Sequence, residues 1–413
     1  MKIVYLNPTG QLGGAEVSLL DILASLRAAE REWSLRLIVG SNGPLVARAE
    51  ALGVATKVVA LPPALARLGD GGPSGSEDKR LSRLDLVAGL FSAAPALLSY
   101  LGQLRSALRD LNPDIVHTNG FKMHVLGVWS RPRRVHTVWH VHDYVRPRPV
   151  MARLLRGCAA RCRAVVANSK SVAEDVQSVC GDRVKVYTVY NAIDLSRFCP
   201  AGPTLDLDAM GGLPPSEAGI MRVALVGTFA WWKGHKTFLQ AISLLPPSLP
   251  IRAYVVGGPI YRTRASQYSL NELRSLAAEL KISHKVGFTG FVEDSASAMR
   301  SLDIVVHASI RPEPFGLVIV EAMACGRALI ASKAGGAAEI LELGKNALGH
   351  PPGDAAVLAK RIAELASNPD LRARLGKAGR ATAELRFARA RLAKDWVIIY
   401  RRVINACPSY LQR

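Results

Sequence analysis

The sequence is poor in the residues that would make it a disulfide framework, a zinc protein or an acidic one. Its six cysteines, at positions 158, 162, 180, 199, 325 and 407, are scattered. Only Cys158 and Cys162 lie close together, and no second pair or flanking histidine completes a zinc pattern. Reduced thiols in a cytoplasmic protein are the expectation. Aromatic residues are 6% of the chain and do not interleave with the basic ones in stacking runs, so no nucleic-acid module is recognisable. Long apolar runs are lacking as well. The first eight residues meet a turn at Asn7-Pro8 before they reach the length of a signal peptide, and they read as a buried first strand. Residues 86–104 carry no formal charge and nearly reach the length of a bilayer span. They also contain Gly89, Ser92, Pro95, Ser99, Gly102 and Gln103, which fits a buried or interfacial helix better. Acids are scarce: 33 Asp and Glu stand against 53 Lys and Arg, a formal charge of +20.

What is present is an ordinary globular composition over 413 residues, 49% apolar and 21% charged, too long for one core. Short apolar strands alternate with longer helical patterns, the signature of parallel sheets covered by helices. Strands are expected at 3–6, 35–39, 57–60, 114–117, 135–140, 164–167 and 185–189, and again at 222–227, 252–257, 286–289, 304–307 and 328–331. Residues 69–80 read as a mobile, Gly-rich polar loop, and residues 200–220, with Pro203, Gly211-Gly212 and Pro214-Pro215, as a linker. The expected organisation is a first domain over 1–199, the linker at 200–220, a second domain over 221–388, and a terminal amphipathic helix within 389–413. Ligands of doubly wound sheets sit at the carboxyl ends of the strands.

The stretch Arg311-Pro-Glu-Pro-Phe-Gly-Leu-Val-Ile-Val-Glu321 sets two glutamates into an apolar run. A helix starting near Gly316 leaves the amides of Phe315, Gly316, Leu317 and Val318 at a positive helix end, where a diphosphate fits. Eight residues of helix span about 12 Å, so Glu313 and Glu321 can flank the two ends of one nucleotide-diphosphate sugar. The competing reading is a capping glutamate plus one paired with a buried arginine. The segment Val226-Gly-Thr-Phe-Ala-Trp-Trp-Lys-Gly234 places Lys233 as a point charge at a strand end. His136, His140 and His142 alternate on one segment, which would put them on one face of a strand. The Asp206-Leu-Asp208 pair resembles a metal motif of another fold and is taken as chance.

The chain resembles glycosyltransferase family 4. The landmarks are Gly13-Gly14-Ala15-Glu16, Pro113-Asp-Ile-Val-His117, Asn168-Ser169, Tyr190-Asn-Ala-Ile-Asp194, Trp232-Lys-Gly234, Phe288-Thr-Gly290, Glu313-Pro-Phe-Gly316 to Glu321, and Gly335-Gly-Ala-Ala-Glu339. The resemblance implies an α/β protein of the GT-B fold, two facing Rossmann-like domains with a C-terminal helix returning to the first. It implies a retaining, metal-independent hexosyltransferase without a cofactor, using a nucleotide-diphosphate sugar as donor and acting in cell-envelope glycan or glycolipid synthesis. It assigns Lys233 to the diphosphate, Glu321 to the ribose, Glu313 with the amides of Phe315 and Gly316 to the transferred sugar, and Gly14 to the approach of a first-domain loop. An active-site histidine is implied after the strand at 135–140: His142 fits best, His140 second and His117 less well. One departure stands out, since Thr228 occupies the place where the family usually carries a phosphate-binding arginine. A sugar-nucleotide epimerase of the same fold is an alternative. Nine arginines against one acid at 131–163 raise a third, a nucleic-acid binder. An anionic membrane surface presenting a lipid-linked acceptor to a peripheral cytoplasmic enzyme is the preferred partner for that charge.

Overall fold

The computed structural model describes residues 1–67, 83–259 and 267–405, leaving aside the side chains of residue 67 and residues 83–93. The expected loop at 69–80 and Cys407 lie outside them. The chain divides into two compact units, Met1–Asn191 together with the chain from Arg389 on, and Ala192–Ala388.

The first unit is built on β1 (Lys2–Asn7), β2 (Ser34–Val39), β3 (Ala55–Val58), β4 (Ile115–Asn119), β5 (His136–Val141), β6 (Ala164–Ala167) and β7 (Lys185–Thr188). All pairings are parallel, in the order β3-β2-β1-β4-β5-β6-β7. β1, β4 and β6 bury nearly every residue, because helices cover both faces of a parallel sheet and leave no face for polar alternation. The order reverses between β1 and β4, where Leu6 lies beside Thr118 and the next residues out are Asn7 and Asn119. The helix Arg391–Asn405 packs on the helix Gly14–Ala29, with Trp396 and Tyr400 wholly buried. Arg391 donates to the carbonyls of Tyr190 and Asn191, which anchors the returning segment.

The chargeless stretch at 86–104 falls in the helix Arg83–Leu111, which contains Pro95. Its later turns bury Tyr100 and Leu104 against Leu6, Ile38 and Val116. No described helix is long and apolar enough to cross a membrane.

The second unit carries β8 (Met221–Val226), β9 (Ile251–Val256), β10 (Val286–Gly290), β11 (Ile304–His307), β12 (Ala328–Ser332) and β13 (Leu348–His350), all parallel, in the order β10-β9-β8-β11-β12-β13. Its order reverses between β8 and β11. The three residues of β13 are too few to carry a readable pattern, and the sequence did not reveal them.

Residues 200–220 do not form a free linker. The division falls at Asn191/Ala192, and residues 192–220 belong to the second unit. Asp206 caps a short helix, Leu207–Gly211, by accepting from the amides of Asp208 and Ala209. The buried Asp208 carboxylate accepts from Arg252 at 2.6 Å, Tyr254 at 2.6 Å and Arg222 at 3.3 Å. Those partners lie on β8 and β9, so composition alone marked a loop where tertiary charge pairing fixes the chain. The Asp206-Leu-Asp208 pair is thus structural.

Candidate active site

At the switch point of the second sheet two loops are clamped together. One follows β8 and runs through Thr228 to Gly234; the other follows β11 and runs to Gly316. Ile310 N–H donates to Trp232 O at 2.8 Å. Gly234 has φ +78, and a Cβ there would stand 1.9 Å from Ala308 O, so only glycine lets the loops approach this closely. The clamp brings Lys233 and Glu313 together. Lys233 Nζ donates to both carboxylate oxygens of Glu313 at 2.8 Å, with the lysine side chain 23% and the glutamate 12% exposed. Ser309 Oγ donates to Glu313 Oε2 at 2.8 Å, and His307 Nε2 lies 3.4 Å from the same oxygen. Burial would raise the Glu313 pKa, but the Lys233 cation and His307 overcome it and hold the carboxyl well below its usual range. Glu313 is therefore a fixed anion.

Phe315 is buried edge-on to Phe387, 5.8 Å between centroids, which anchors the loop from below. Gly316, at φ +94, opens the helix Leu317–Ala324 with no side-chain cap. The amides of Leu317 and Val318 belong to its first turn, which has no carbonyl one turn back to receive them. Glu321 stands on the same helix, half-buried. Burial pushes its carboxyl up to about 7, tempered by the Arg197 charge. Thr228 Oγ1 is buried without a hydrogen-bond partner among the described residues.

The switch point of the first sheet holds a different arrangement. Asn7, closing β1, donates from Nδ2 to Thr9 O at 2.6 Å and to Glu16 Oε1 at 3.2 Å. Glu16 Oε2 in turn accepts from Gly13 N–H at 3.1 Å, which seats the Gly13-Gly14 loop at the start of the Gly14–Ala29 helix. Asn119, closing β4, donates from Nδ2 to Asn7 Oδ1 at 2.7 Å. Asn119 Oδ1 then meets His142 Nε2 at 2.5 Å. A backbone carbonyl can only accept, so Thr9 fixes the orientation of Asn7, Asn7 that of Asn119, and Asn119 the tautomer of His142. The His142 proton sits on Nε2, and Nδ1 is left as a bare acceptor; it is buried with no partner among the described residues.

His142 lies just beyond β5, and burial holds its pKa down to about 3. His140 is packed 3.9 Å from the His142 ring and 4.9 Å from Trp396. His117 bonds Tyr400 Oη at 2.7 Å from the core. Burial first, and then the nearby His142, pushes both of these histidines well below their ordinary range. His136, expected on the same face, sits at the other end of β5 and is partly exposed. Among the described residues no three His, Cys, Asp or Glu side chains are grouped to hold a metal.

Asn7, Asn119, Glu16, His307 and Ser309 were missed as site residues in the sequence. An asparagine closing a buried apolar strand was the available signal for the first two, because a polar side chain there needs a built partner.

Two family models match this chain: Glycosyltransferase Family 4 over residues 12–197 and Glycosyl transferases group 1 over residues 221–382. The lipopolysaccharide core biosynthesis glycosyltransferase LpsE of Rhizobium meliloti is 27% identical over 54% of this chain and 60% of its own length. The D-inositol 3-phosphate glycosyltransferase of Streptomyces scabiei is 28% identical over 91% of this chain and 83% of its own length. For LpsE and another curated relative, covered to 42%, the chain spans only about half of the relative's length. The crystal structure of Anabaena HepE in complex with UDP and glucose superposes with a TM-score of 0.77, at 25% identity, over 97% of this chain and 99% of that one.

Proposed function

The chain belongs to glycosyltransferase family 4, and from that premise we propose that it moves a hexose-type sugar from a nucleotide-diphosphate donor to an acceptor hydroxyl, with retention and without a metal, in cell-envelope glycan or glycolipid synthesis. The observation that carries the reading is the Lys233–Glu313 pair, held at the β8/β11 switch point beside the opening of the Leu317–Ala324 helix. A fixed anion, a cation and helix-end amides within one clamped loop pair match a donor that is cationic at the reacting carbon and anionic at its diphosphate. In this reading Lys233 and the Leu317 and Val318 amides face the diphosphate, with Gly316 allowing close approach and Thr228 lining the same strand end. Glu313 faces the transferred sugar, beside the Phe315 backbone, and Glu321 takes the ribose diol.

The acceptor oxygen bonds to the anomeric carbon on the face from which the diphosphate departs. As the carbon–oxygen bond to phosphate breaks, the acceptor proton passes to the departing diphosphate. Glu313 stabilises the positive charge that develops at the carbon, and no protein nucleophile is needed. In the first unit, Gly14 and the bare Nδ1 of His142 lie at a strand-end switch point, the place where a second substrate group binds in this architecture.

The basic segment supports an anionic membrane as the partner that presents the acceptor. The helix Pro149–Cys158 leaves Val150 and Leu154 about half-exposed one turn apart, and Cys158, one turn further, touches the exposed Trp129. Arg161 stacks 4.0 Å over Trp129, and Arg153 and Arg156 are exposed with no ion pair among the described residues. Apolar side chains framed by cations suit a headgroup layer better than a nucleic acid.

The test of the donor reading is a panel of nucleotide sugars screened for protection against thermal unfolding, followed by an assay for sugar transfer. A donor that raises Tm and loses its sugar to an acceptor is the expected result. Donor isomerisation without transfer would place the chain with the epimerases, and no protection by any donor would overturn the reading.

A further inference from the structure

The charge on the clamped loops does not add up to a diphosphate site with Lys233 alone. Lys233 is held by both oxygens of Glu313, and that pair is neutral as a whole. Thr228 contributes no charge. His235, two residues after Lys233, is buried, and burial together with Lys233 pushes it down to about 4, so it is neutral near pH 7. A nucleoside diphosphate brings about two negative charges or more, which the helix-end amides counter only in part.

Arg311 is the cation these loops leave unspent. It lies between Ser309 and Glu313, its guanidinium is 4.1 Å over the Trp231 ring, and it has no carboxylate partner among the described residues. Trp231 begins the turn Trp231–Lys233 that ends on the lysine. Ile310 N–H, one residue before Arg311, is the group bonded to Trp232 O. The arginine is thus carried on the loop-to-loop clamp itself, with its plane set by an aromatic face. Such stacking fixes a guanidinium and leaves its edge N–H donors free to pair with two phosphate oxygens, which a lysine cannot do in the same way. Lys333, exposed after β12 on the segment that pairs with Glu313 through Gly335, is one alternative cation, but it has no stacking partner among the described residues to orient it.

We propose that Arg311, oriented by Trp231, is a diphosphate-binding residue of this site and supplies the cation that Thr228 does not. The proposal rests on the donor reading above. It is tested by calorimetric titration of UDP and of UMP, at two salt concentrations, into the wild-type chain and the variants Arg311→Gln, Arg311→Lys, Trp231→Leu and Lys333→Gln. Arg311→Gln is expected to weaken UDP at least tenfold and UMP by less than threefold, and to lower the salt dependence of UDP binding. Arg311→Lys should recover part of the loss, Trp231→Leu should fall between, and Lys333→Gln should stay within twofold. UDP binding within twofold of wild type in Arg311→Gln overturns the proposal while leaving the donor reading standing. Equal losses of UDP and UMP overturn it too, because they mark a folding defect or a base contact. A wild-type chain that binds neither UDP nor ADP nor GDP overturns the donor reading and this inference together.

Discussion

The two switch points are built on the same plan and run on opposite electrostatics. In the second unit the loops after β8 and β11 carry a fixed Lys233–Glu313 ion pair, and Arg311 of the same loops stacks on Trp231. In the first, the ends of β1 and β4 carry Asn7 and Asn119, and the histidines around them are held neutral by burial. One surface answers charge with charge, and the other is arranged to direct hydrogen bonds without charge. The difference follows from desolvation. A buried ion is tolerated where a counter-ion and hydroxyls surround it, as at Glu313, and is discharged where only rings and amides do, as at His140.

The largest effect is expected from breaking the ionic side. Glu313→Gln keeps shape and removes the anion, so kcat should fall about 100- to 1,000-fold while donor affinity, measured by calorimetry, changes far less. Lys233→Ala should cost both turnover and Tm, since it leaves the Glu313 carboxylate buried without its cation. The double variant should regain Tm without regaining activity. A Glu313→Gln enzyme that loses affinity alone would remove the carboxylate from the reaction.

The next effect puts charge into the neutral side. Asn119→Asp sets a carboxylate against His142 Nε2 and Asn7 Oδ1. It should lower Tm, and it should raise the His142 pKa from about 3 into the range where imidazole titration is followed by NMR. A wild-type His142 spectrum showing the proton on Nδ1 would break the Thr9–Asn7–Asn119 relay outright.

A smaller, graded effect belongs to Glu321. Its carboxyl is pushed up to about 7, and a ribose diol donates its hydrogen bonds to the ionised form. Donor affinity should therefore rise with pH through the interval from 4.5 toward about 7, by at most about tenfold per unit, and level off above it. Glu321→Gln should raise KM and flatten that profile. A flat wild-type profile from pH 5.5 to 8 would take Glu321 out of the donor contact.

The smallest effects sharpen the account of the cations. Thr228→Arg should tighten donor binding by a few-fold, and more clearly in the Arg311→Gln background than in wild type. For the basic helix face, Leu154→Ser and added salt should each reduce cosedimentation with anionic liposomes. Retention at high salt would point to apolar insertion instead.

Much of this was readable beforehand, because parallel strands advertise themselves as apolar runs and the Glu313–Glu321 segment pairs rare charges with Pro and Gly. Twelve of the thirteen described strands are legible as apolar runs, and so are the two segments that the fold clamps together after β8 and β11. The contacts between the loops were not readable. Nothing in the local sequence shows that Lys233 and Glu313, 80 positions apart, meet each other in the folded chain. The same holds for Asp208 with Arg252, which turned an apparent linker into packed structure, and for Asn7 with Asn119, 112 positions apart. Sheet order sets the first and last of these meetings and the docking of the Leu207–Gly211 helix sets the second, and local pattern encodes neither.

The return of the chain to its first unit has a consequence for how the protein is made. The 197 residues Ala192–Ala388 form a unit of their own between the two pieces of the first. At ordinary elongation rates of roughly 5–20 residues per second they take about 10–40 s to synthesise. Through that interval the first sheet lacks Trp396 and Tyr400, so the ring of His117 and the hydroxyl of Tyr5 stay uncovered on a nascent chain. The second unit can finish folding while the first still waits. A holdase chaperone meeting this protein on the ribosome would find its binding surface at the beginning of the chain.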